Sequence, residues 1–284
     1  MLTAIVKLTC QDRPGIVHEV TSFVLSNGGN IIRVHQCIDQ LDGMFFMRIE
    51  WDLENFLIPR GSIEEYFGTL IGKKFDVDFE LSFSDKVYKL AVFVTKSTHC
   101  LFDIMQRCMI REWNAEVSVI ISNHAKMKRY ADMFGVPFYH FPINKENKTE
   151  QEQKETELLE ELGIDYILLA KYMQILSPQF VDHFAHRVIN IHHSFLPSFK
   201  GADPYRAAYL KGVKIIGATS HFVTSDLDEG PIIDQDVRRI NSNETIDDLI
   251  KNGRNVEKLV FSRAIGLVLA NSVIIYKNRT ILLE

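Results

Sequence analysis

The sequence predicts an α/β protein in which a mostly parallel, doubly wound sheet follows a smaller ferredoxin-like βαββαβ unit. Two patterns support this prediction. Strand and helix periodicities follow each other in the order βαββαβ over residues 2–83, and strands then alternate with helical segments from residue 89 onward. With 284 residues, 46% of them hydrophobic, the chain can form one large or two medium domains, each with its own core. We expect domains at 1–84 and 88–284.

The N-terminal unit begins with a strand over residues 2–9, where apolar and polar side chains alternate. A turn is predicted at residues 12–15, which read DRPG, and apolar residues at helical spacing predict a helix over 16–25. Gly28 and Gly29 end this helix, because glycine accepts the left-handed conformation that follows a helix C-terminus.

A hairpin, a second helix and a last strand complete this unit. Strands are predicted over 31–38 and 44–51, and they are joined through a turn that contains Gly43. A helix over 62–73 and a strand over 76–83 follow. This order of elements is that of a ferredoxin-like unit.

The rest of the chain is typical of a parallel sheet covered by helices on both faces. Strands that alternate with helices require right-handed crossover connections. The acidic stretch 149–162 is one of the helical or charged segments between strands. The predicted strands are 89–94, 116–122, 137–141, 165–169 and 188–191, with a final strand-like run at 273–276.

Net charge, the length of apolar runs and the cysteine content indicate the kind of partner, the location and the state of the thiols. A net charge of -5 leaves no broad basic surface, so the sequence predicts no nucleic-acid partner and a small ligand instead. No secretory leader and no run of about eighteen apolar residues is found, which predicts a cytoplasmic protein without a membrane partner. The cysteines are expected to be free, mostly buried thiols: Cys10, Cys37, Cys100 and Cys108.

Polar side chains cluster where the strand over 188–191 ends, in the segment 190–201, which reads NIHHSFLPSFKG. Ligands of open α/β sheets bind outside the carboxyl ends of strands. Alternation along a strand places Asn190 and His192 on one side and His193 on the other. Neighbouring histidines that diverge cannot easily bind one metal ion, and no third ligand stands at a diagnostic spacing, so no metal site is expected.

A second polar cluster lies at residues 217–231, which read GATSHFVTSDLDEGP. It contains a strand with His221, followed by an acidic loop that includes Asp228. Taken alone, such a loop is more often a solvated turn than a catalytic feature. Combined with Asn190 and His192, however, it supplies an amide, an imidazole and a carboxylate, a set suited to polarising a carbonyl and moving a proton.

The two clusters resemble the folate-dependent formyltransferase family, with matching spacing over about residues 88–284. The motifs that carry the resemblance are NIHHSFLPSFKG, then LDEGP at 227–231, and LLAKYMQILSP at 168–178, which is similar to the family's folate-contacting segment. The resemblance implies a formyltransferase-like catalytic domain in which Asn190, His192 and Asp228 are catalytic.

The N-terminal unit indicates the branch of this family. With DRPG at 12–15 it resembles an ACT domain, and an ACT domain fused to a formyltransferase domain is the arrangement of formyltetrahydrofolate deformylases. Residues 93–101, FVTKSTHCL, lack the glycine-rich loop with which glycinamide ribonucleotide transformylases hold phosphate. The chain also ends too soon after residue 276 for the RNA-binding domain of methionyl-tRNA formyltransferases.

The resemblance implies a hydrolase of linear amide C–N bonds in one-carbon metabolism. It would convert 10-formyltetrahydrofolate to tetrahydrofolate and formate, and supply that formate for purine synthesis. Asn190 and His192 would donate to the formyl oxygen, while Asp228 would orient and deprotonate the attacking water. The folate is the substrate, so no cofactor is expected.

The same resemblance implies a pterin pocket, with main-chain groups of residues 174–176 contacting the ring. His221 is either a support for the Asp228 loop or a core histidine. Two roles stay open for His99, which could exclude an amine acceptor or cap the following helix. The substrate-binding residues are expected to be Tyr172, Met173, Gln174, Ile175, Leu176, His221, Val223 and Asp226.

The ACT-like unit is expected to bind a small effector, often an amino acid in such domains, near Asp12, Gly15 and Ile16, because a helix N-terminus suits an anionic group. It is also expected to build a homo-oligomer, a dimer or tetramer, and this could be its only role. Two further functions remain open: a folate-dependent formyltransferase acting on a small amine such as glycinamide ribonucleotide, and a non-catalytic sensor of folate or amino acids.

Overall fold

A computed structural model describes residues 1–197 and 204–284. Contacts divide the chain into two compact units. One comprises residues 1–86, 270–276 and 281–284, and the other comprises residues 87–269 and 277–280. Among the described residues, no helix combines the length and the apolar composition required to span a bilayer.

The first unit has the predicted ferredoxin-like order of strands and helices. Its four strands form an antiparallel sheet in the order β2-β3-β1-β4. Apolar side chains of α1 and of the inner strands form its core, with Trp51 and Phe67 fully buried. The main elements are β1 (Thr3–Gln11), α1 (Ile16–Ser26), β2 (Ile31–Asp39), β3 (Met44–Asp52) and β4 (Asp78–Phe83).

The helix predicted over 62–73 is interrupted. A 3₁₀ turn (Arg60–Ser62) and α2 (Ile63–Phe67) lead into a π-helical turn (Gly68–Gly72), which is followed by α3 (Lys73–Phe75). The ring of Phe79 lies 3.5 Å from the position of a Cβ on Gly68 and 3.6 Å from that on Gly72. The ring of Phe79 thus packs beside both glycines, and this tertiary contact was not visible in the helical periodicity.

Residues 270–276 pack with the first unit, and the expected domain bounds of 1–84 and 88–284 stay a prediction. The buried guanidinium of Arg48 donates to the carbonyl oxygens of Ala270 and Asn271, each at 3.2 Å. Lys7 donates to the carbonyl of Val273 at 3.0 Å. A terminal hairpin is formed by β12 (Val273–Tyr276) and β13 (Arg279–Leu282).

The second unit contains a seven-stranded sheet with the order β11-β10-β9-β8-β5-β6-β7. Its central strands are almost wholly buried and apolar, which is typical of parallel strands covered on both faces. The strands are β5 (Tyr88–Phe93), β6 (Ala115–Ser122), β7 (Phe138–His140), β8 (Tyr166–Leu169), β9 (Val188–His192), β10 (Ile215–Phe222) and β11 (Ile232–Arg239).

Helices connect these strands and cover the sheet. The longest is α9, whose 24 residues were not predicted from the sequence. The described helices are α4 (His99–Met109), a 3₁₀ turn (Ala125–Met127), α5 (Lys128–Phe134), α6 (Lys148–Glu161), α7 (Pro178–His183), α8 (Pro204–Lys211) and α9 (Ile246–Leu269).

The expectation of a mostly parallel sheet is confirmed, with an antiparallel edge. Pairs β5·β6, β5·β8, β6·β7 and β8·β9 are parallel, whereas β10 runs antiparallel to both β9 and β11. The antiparallel pairing of β9 with β10 sets Asn190 opposite His221 and His192 opposite Thr219. The two polar clusters of the sequence therefore lie on neighbouring strands.

Candidate active site

Strand pairing places three of the predicted site residues on one face of the sheet. Residues directly opposite each other on antiparallel strands point to the same side, so Asn190 and His221 share a face. His192 follows Asn190 by two positions and lies on that face as well. The side-chain amide of Asn190 contacts Nε2 of His221 at 3.1 Å.

The acidic loop brings Asp228 to this face. Asp228 Oδ1 lies 3.2 Å from Nδ1 of His192 and 3.8 Å from Nε2 of His221. Its backbone has φ +58°, in the left-handed region that aspartate and asparagine tolerate better than most residues. One amide, two imidazoles and one carboxylate thus converge, as the catalytic prediction requires, although Asn190 and His221 are 31 residues apart in the chain.

Hydrogen bonds determine the tautomer of His221. Its Nδ1 lies 2.8 Å from the carbonyl oxygen of Phe222, which can only accept, so Nδ1 carries the hydrogen. Burial lowers the pKa of His221, although that hydrogen bond and the charge of Asp228 oppose the shift. Neutral His221 then uses Nε2 to accept from the amide of Asn190, which orients that amide.

His192 has one nitrogen available for a ligand. Its Nδ1 faces Asp228, which accepts a hydrogen bond and fixes the ring orientation. Its Nε2 is buried without a hydrogen-bond partner in the described part of the chain. Such a polar atom in a binding cavity is suited to contact a polar group of a ligand, and it can donate to a carbonyl oxygen when both ring nitrogens carry hydrogen.

A cavity of about 320 Å³ opens onto these groups. Its lining includes Asn190, His192 and Asp228 together with the predicted pterin-contacting residues 172–176 and also His221 and Val223. Asp226 is not among the lining residues: its side chain is exposed, and its carbonyl oxygen accepts from Thr224 at 3.2 Å within the loop. Residues 198–201 of the predicted motif lie outside the described residues.

The loop after β8 presents large apolar side chains to the cavity. Met173 and Ile175 are 52% and 62% exposed, whereas Tyr172 and Leu176 are buried against the core. Exposed apolar side chains around a cavity typically mark a surface that a ligand covers. This distribution fits the expectation that Met173 and Ile175 pack against a flat ring.

Buried polar groups hold this loop in place. Lys171 has φ +61°, so the chain turns sharply as it leaves β8. The N–H of Met173 donates to Oγ1 of Thr95 at 2.9 Å, and the N–H of Ser177 donates to Oε1 of Glu152 at 3.0 Å. The loop is therefore anchored near both ends by side chains from other elements.

A second buried acid, Glu155, lies close to this anchor. Burial and then the charge of Glu152 raise the pKa of Glu155 to about 8. Burial, followed by the charges of the same two acids, also raises the pKa of Tyr172. Glu155 is therefore mostly protonated at neutral pH, which limits like-charge repulsion next to Glu152.

In the first unit, the residues expected to bind an effector lie at the start of α1. Gly15 precedes the helix with φ +96°, a conformation that favours glycine, and its carbonyl accepts from the N–H of Glu19 at 2.9 Å. Asp12 is exposed and its N–H donates to the carbonyl of Gly43 at 2.8 Å, whereas Ile16 is buried. Their role in effector binding stays a prediction.

Comparison with known proteins matches both units. The family model for formyl transferases matches residues 88–265, and the model for ACT domains matches residues 4–50. A formyltetrahydrofolate deformylase from Synechocystis sp. is 46% identical over 99% of this chain and 98% of its own length. The chain belongs to the formyltetrahydrofolate deformylase family.

Solved structures give the same family and its wider relationship. A formyltetrahydrofolate deformylase from Pseudomonas syringae superposes with a TM-score of 0.96 at 37% identity, covering 100% of this chain and 95% of that one. A glycinamide ribonucleotide transformylase from Symbiobacterium toebii superposes with a TM-score of 0.66 at 30% identity, over 72% of this chain and 98% of its own. The transformylase thus matches only part of this longer chain.

One orientation predicted from the sequence is wrong. We expected His193 to point away from His192, but their rings stack with centroids 5.0 Å apart and planes inclined by 22°. Both rings line the same cavity. Strand β9 ends at His192, so the alternation of side chains no longer applies to the next residue.

A polar network around Glu257 was not predicted from the sequence. His99 Nε2 donates to Glu257 Oε2 at 2.7 Å, the hydroxyl of Tyr205 donates to Oε1 at 2.6 Å, and Lys171 Nζ lies 3.6 Å from Oε1. The side chain of His99 thus binds an acid on α9, and no side chain caps the start of α4. Gly253 in the middle of α9 was the available signal, since such a glycine often has a packing reason.

This network also contains a set of potential metal ligands. Ligand atoms of His99, Cys100 and Glu257 lie within 4.8 Å of one another. Burial, and then the charge of Glu257, raise the pKa of the Cys100 thiol well above its ordinary value. A thiol that stays protonated is a poor ligand, and both oxygens of Glu257 already accept hydrogen bonds, so the set does not suit a metal ion.

Proposed function

We propose that this protein hydrolyses 10-formyltetrahydrofolate to tetrahydrofolate and formate. The observation that carries the proposal is the convergence of Asn190, His192 and Asp228 at one cavity, where Nε2 of His192 has no partner among the described residues. Membership of the deformylase family supports the same reaction.

The arrangement suits attack by water on a formyl carbon. Oxygen of water bonds to that carbon, negative charge develops on the formyl oxygen, and the carbon–nitrogen bond breaks as the folate nitrogen takes up a proton. The amide of Asn190 and Nε2 of His192 would donate to the developing oxyanion. Each such donor is typically worth on the order of 10²–10³ in kcat.

Asp228 has a second role beside that of orienting His192. Its carboxylate can position the attacking water and accept its proton, which the folate nitrogen then receives as it leaves. General base catalysis of this kind contributes about 10²–10⁴ in rate. The hydrogen bond between Asp228 and Nδ1 of His192 allows Nε2 to act as donor when both ring nitrogens carry hydrogen.

The pterin is assigned to the apolar side of the cavity. Met173 and Ile175 would pack on the ring, main-chain groups of 174–176 would contact its polar edge, and Val223 would close the opposite wall. His221 would act through Asn190, which it orients. Asp226 is exposed and is assigned to shaping the loop that carries Asp228.

Formyl transfer to an amine is the second candidate. A second cavity of about 530 Å³ shares Lys171, Met173, Gln174 and His193 with the first and has the volume to admit a small acceptor. Partial similarity to a glycinamide ribonucleotide transformylase favours this candidate as well. The absence of a glycine-rich loop over residues 93–101 counts against it.

One experiment separates hydrolysis from transfer. The purified protein is incubated with 10-formyltetrahydrofolate in H₂¹⁸O, with and without glycinamide ribonucleotide, and formate is measured by mass spectrometry. We expect ¹⁸O in the formate and the same yield in both arms. Formylated amine in place of formate would establish the transferase, and no turnover with retained folate binding would favour a sensor.

A role in regulation is assigned to the N-terminal unit. An amino acid bound near Asp12, Gly15 and Ile16 would change the rate of hydrolysis, and the formate would serve purine synthesis. Turnover measured with each amino acid in turn tests the first part. The homo-oligomer, whether dimer or tetramer, and the cytoplasmic location stay predictions.

A further inference from the structure

The second cavity lies next to the reacting groups. Its shared lining with the first cavity, from Lys171 to His193, means that a small molecule released at His192 can reach it directly. His193, whose ring stacks on that of His192, lines both cavities. The cavity is therefore positioned to receive a product of the reaction.

The lining of this cavity is predominantly cationic. Among the described lining residues, Lys96, Lys171 and Arg254 stand against a single carboxylate, that of Glu257. Lys171 is close to that carboxylate, at 3.6 Å. Neither Lys96 nor Arg254 has an ion-pair partner in the described part of the chain, so their charges are free to act on a ligand.

Hydrogen bonds and a nearby lysine compensate the negative charge of Glu257, so its carboxylate repels an anion only weakly. Its two oxygens accept from His99 and from Tyr205. Burial alone would raise its pKa, but the hydrogen bond from His99 and the charge of Lys171 lower that pKa to about 2. The group stays ionised and compensated throughout the physiological range.

The approach of Tyr205 depends on a glycine. A Cβ on Gly253 would lie 2.2 Å from the ring and hydroxyl of Tyr205. The absence of a side chain at Gly253 therefore leaves the space in which Tyr205 reaches Glu257, and both residues line the cavity. The network is a built feature of the cavity and not an accidental contact between exposed side chains.

We propose that this second cavity receives the formate anion produced by hydrolysis, and that Lys96 and Arg254 attract it. This inference rests on the proposed function. When the carbon–nitrogen bond breaks, the formyl carbon leaves as formic acid, which gives its proton to solvent and becomes a monovalent carboxylate. A cationic chamber beside the reacting carbon draws that anion away from the folate nitrogen, and thereby favours departure over re-formylation.

The test is product inhibition by formate. Hydrolysis is followed through tetrahydrofolate formation at constant ionic strength, with formate, inorganic phosphate or chloride added. The variants are Lys96→Gln, Arg254→Gln and their combination, and the matched control is Lys251→Gln, an exposed lysine on the same helix outside the lining.

We expect formate to inhibit more strongly than chloride. Each variant should raise the inhibition constant for formate about threefold and the double variant about tenfold, as is typical of exposed charges that act independently. Lys251→Gln should match the wild type both in its inhibition constant for formate and in its kcat without formate. An unchanged inhibition constant in the double variant would overturn the proposal. Stronger inhibition by phosphate that depends on the same residues would also overturn it and would point to a phosphorylated acceptor.

Binding of ¹³C-formate, followed by its NMR line width, separates this proposal from the deformylase function. The line should broaden with wild type and Lys251→Gln but not with the double variant. Normal hydrolysis with equal broadening in all proteins refutes the formate chamber alone. Absence of hydrolysis, with broadening lost only in the double variant, refutes the proposed function and leaves an anion site.

Discussion

Replacement of Gly230 by alanine should inactivate the enzyme through the loop that carries Asp228. A Cβ at this position would lie 1.8 Å from the carbonyl oxygen of Phe222 and 3.3 Å from a methyl group of Thr224. Heavy atoms do not approach a Cβ within 3.0 Å, so the two segments must separate by at least 1.2 Å. The displaced carbonyl is the one that accepts from Nδ1 of His221 at 2.8 Å.

This displacement predicts a loss of unfolding free energy and a loss of catalytic efficiency. Overpacking of a buried backbone site typically costs about 1–3 kcal/mol of unfolding free energy. Because a displacement of about 1 Å at a catalytic group costs on the order of 10²-fold, we expect kcat/KM to fall by about that factor. The matched control is Gly61→Ala, whose Cβ would meet no atom within 4 Å.

Steady-state hydrolysis and urea unfolding of both variants provide the assay. Gly61→Ala should stay within about 0.5 kcal/mol of the wild type with unchanged kinetics. Retention of kcat/KM within threefold by a folded Gly230→Ala protein would show that the loop geometry does not determine catalysis.

Three further predictions follow. His192→Ala should lower kcat by about 10²–10³ while KM changes a few fold, because the lost donor acts in the transition state; a rise in KM alone would contradict this role. The raised folded-state pKa of Glu155, about 8, means that the folded protein loses stability as pH rises from about 4.5 to 8, at most about 1.4 kcal/mol per pH unit. Calorimetry should show Glu155→Gln gaining in Tm over the wild type from pH 5 to 8, and parallel curves would refute a protonated Glu155. Gly253→Ala should destabilise the protein by about 1–3 kcal/mol, because its Cβ displaces Tyr205 from Glu257. In a Tyr205→Ala background the same change should stabilise α9 by up to about 1 kcal/mol; destabilisation in both backgrounds would place its cause elsewhere.

Much of the fold could be predicted because it is encoded locally. Alternating apolar residues and the glycines at 28, 29 and 43 mark the ends of elements in the first unit, and buried apolar runs mark β5, β6 and β8. The interrupted helix around Gly68 and Gly72, where the ring of Phe79 packs, was not predicted. That contact joins separate elements, so periodicity does not reveal it.

The candidate site also has features that could be predicted from the sequence and features that could not. The end of β9 and the acidic loop could be recognised because polar residues follow apolar segments at both places. The tautomer of His221 and the stacking of His193 depend on the register and the end of strands. Gly253 signals close packing against α9, but it does not identify Glu257 and His99 as partners, because these residues are 158 positions apart in the chain.

The central claim is that Asp228 performs chemistry at a bound formyl group. Asp228→Asn preserves shape, and asparagine tolerates the φ of +58° found here, so the change removes charge with little strain. Asp226→Asn is the matched control in the same loop, because that side chain lies outside the cavity lining.

Formate release and folate binding should be measured for both variants in parallel. We predict that Asp228→Asn lowers kcat by about 10²–10⁴ while the Kd for folate stays within about threefold, and that Asp226→Asn keeps the wild-type kcat. A folded Asp228→Asn enzyme that releases formate at more than half the wild-type rate would contradict the account.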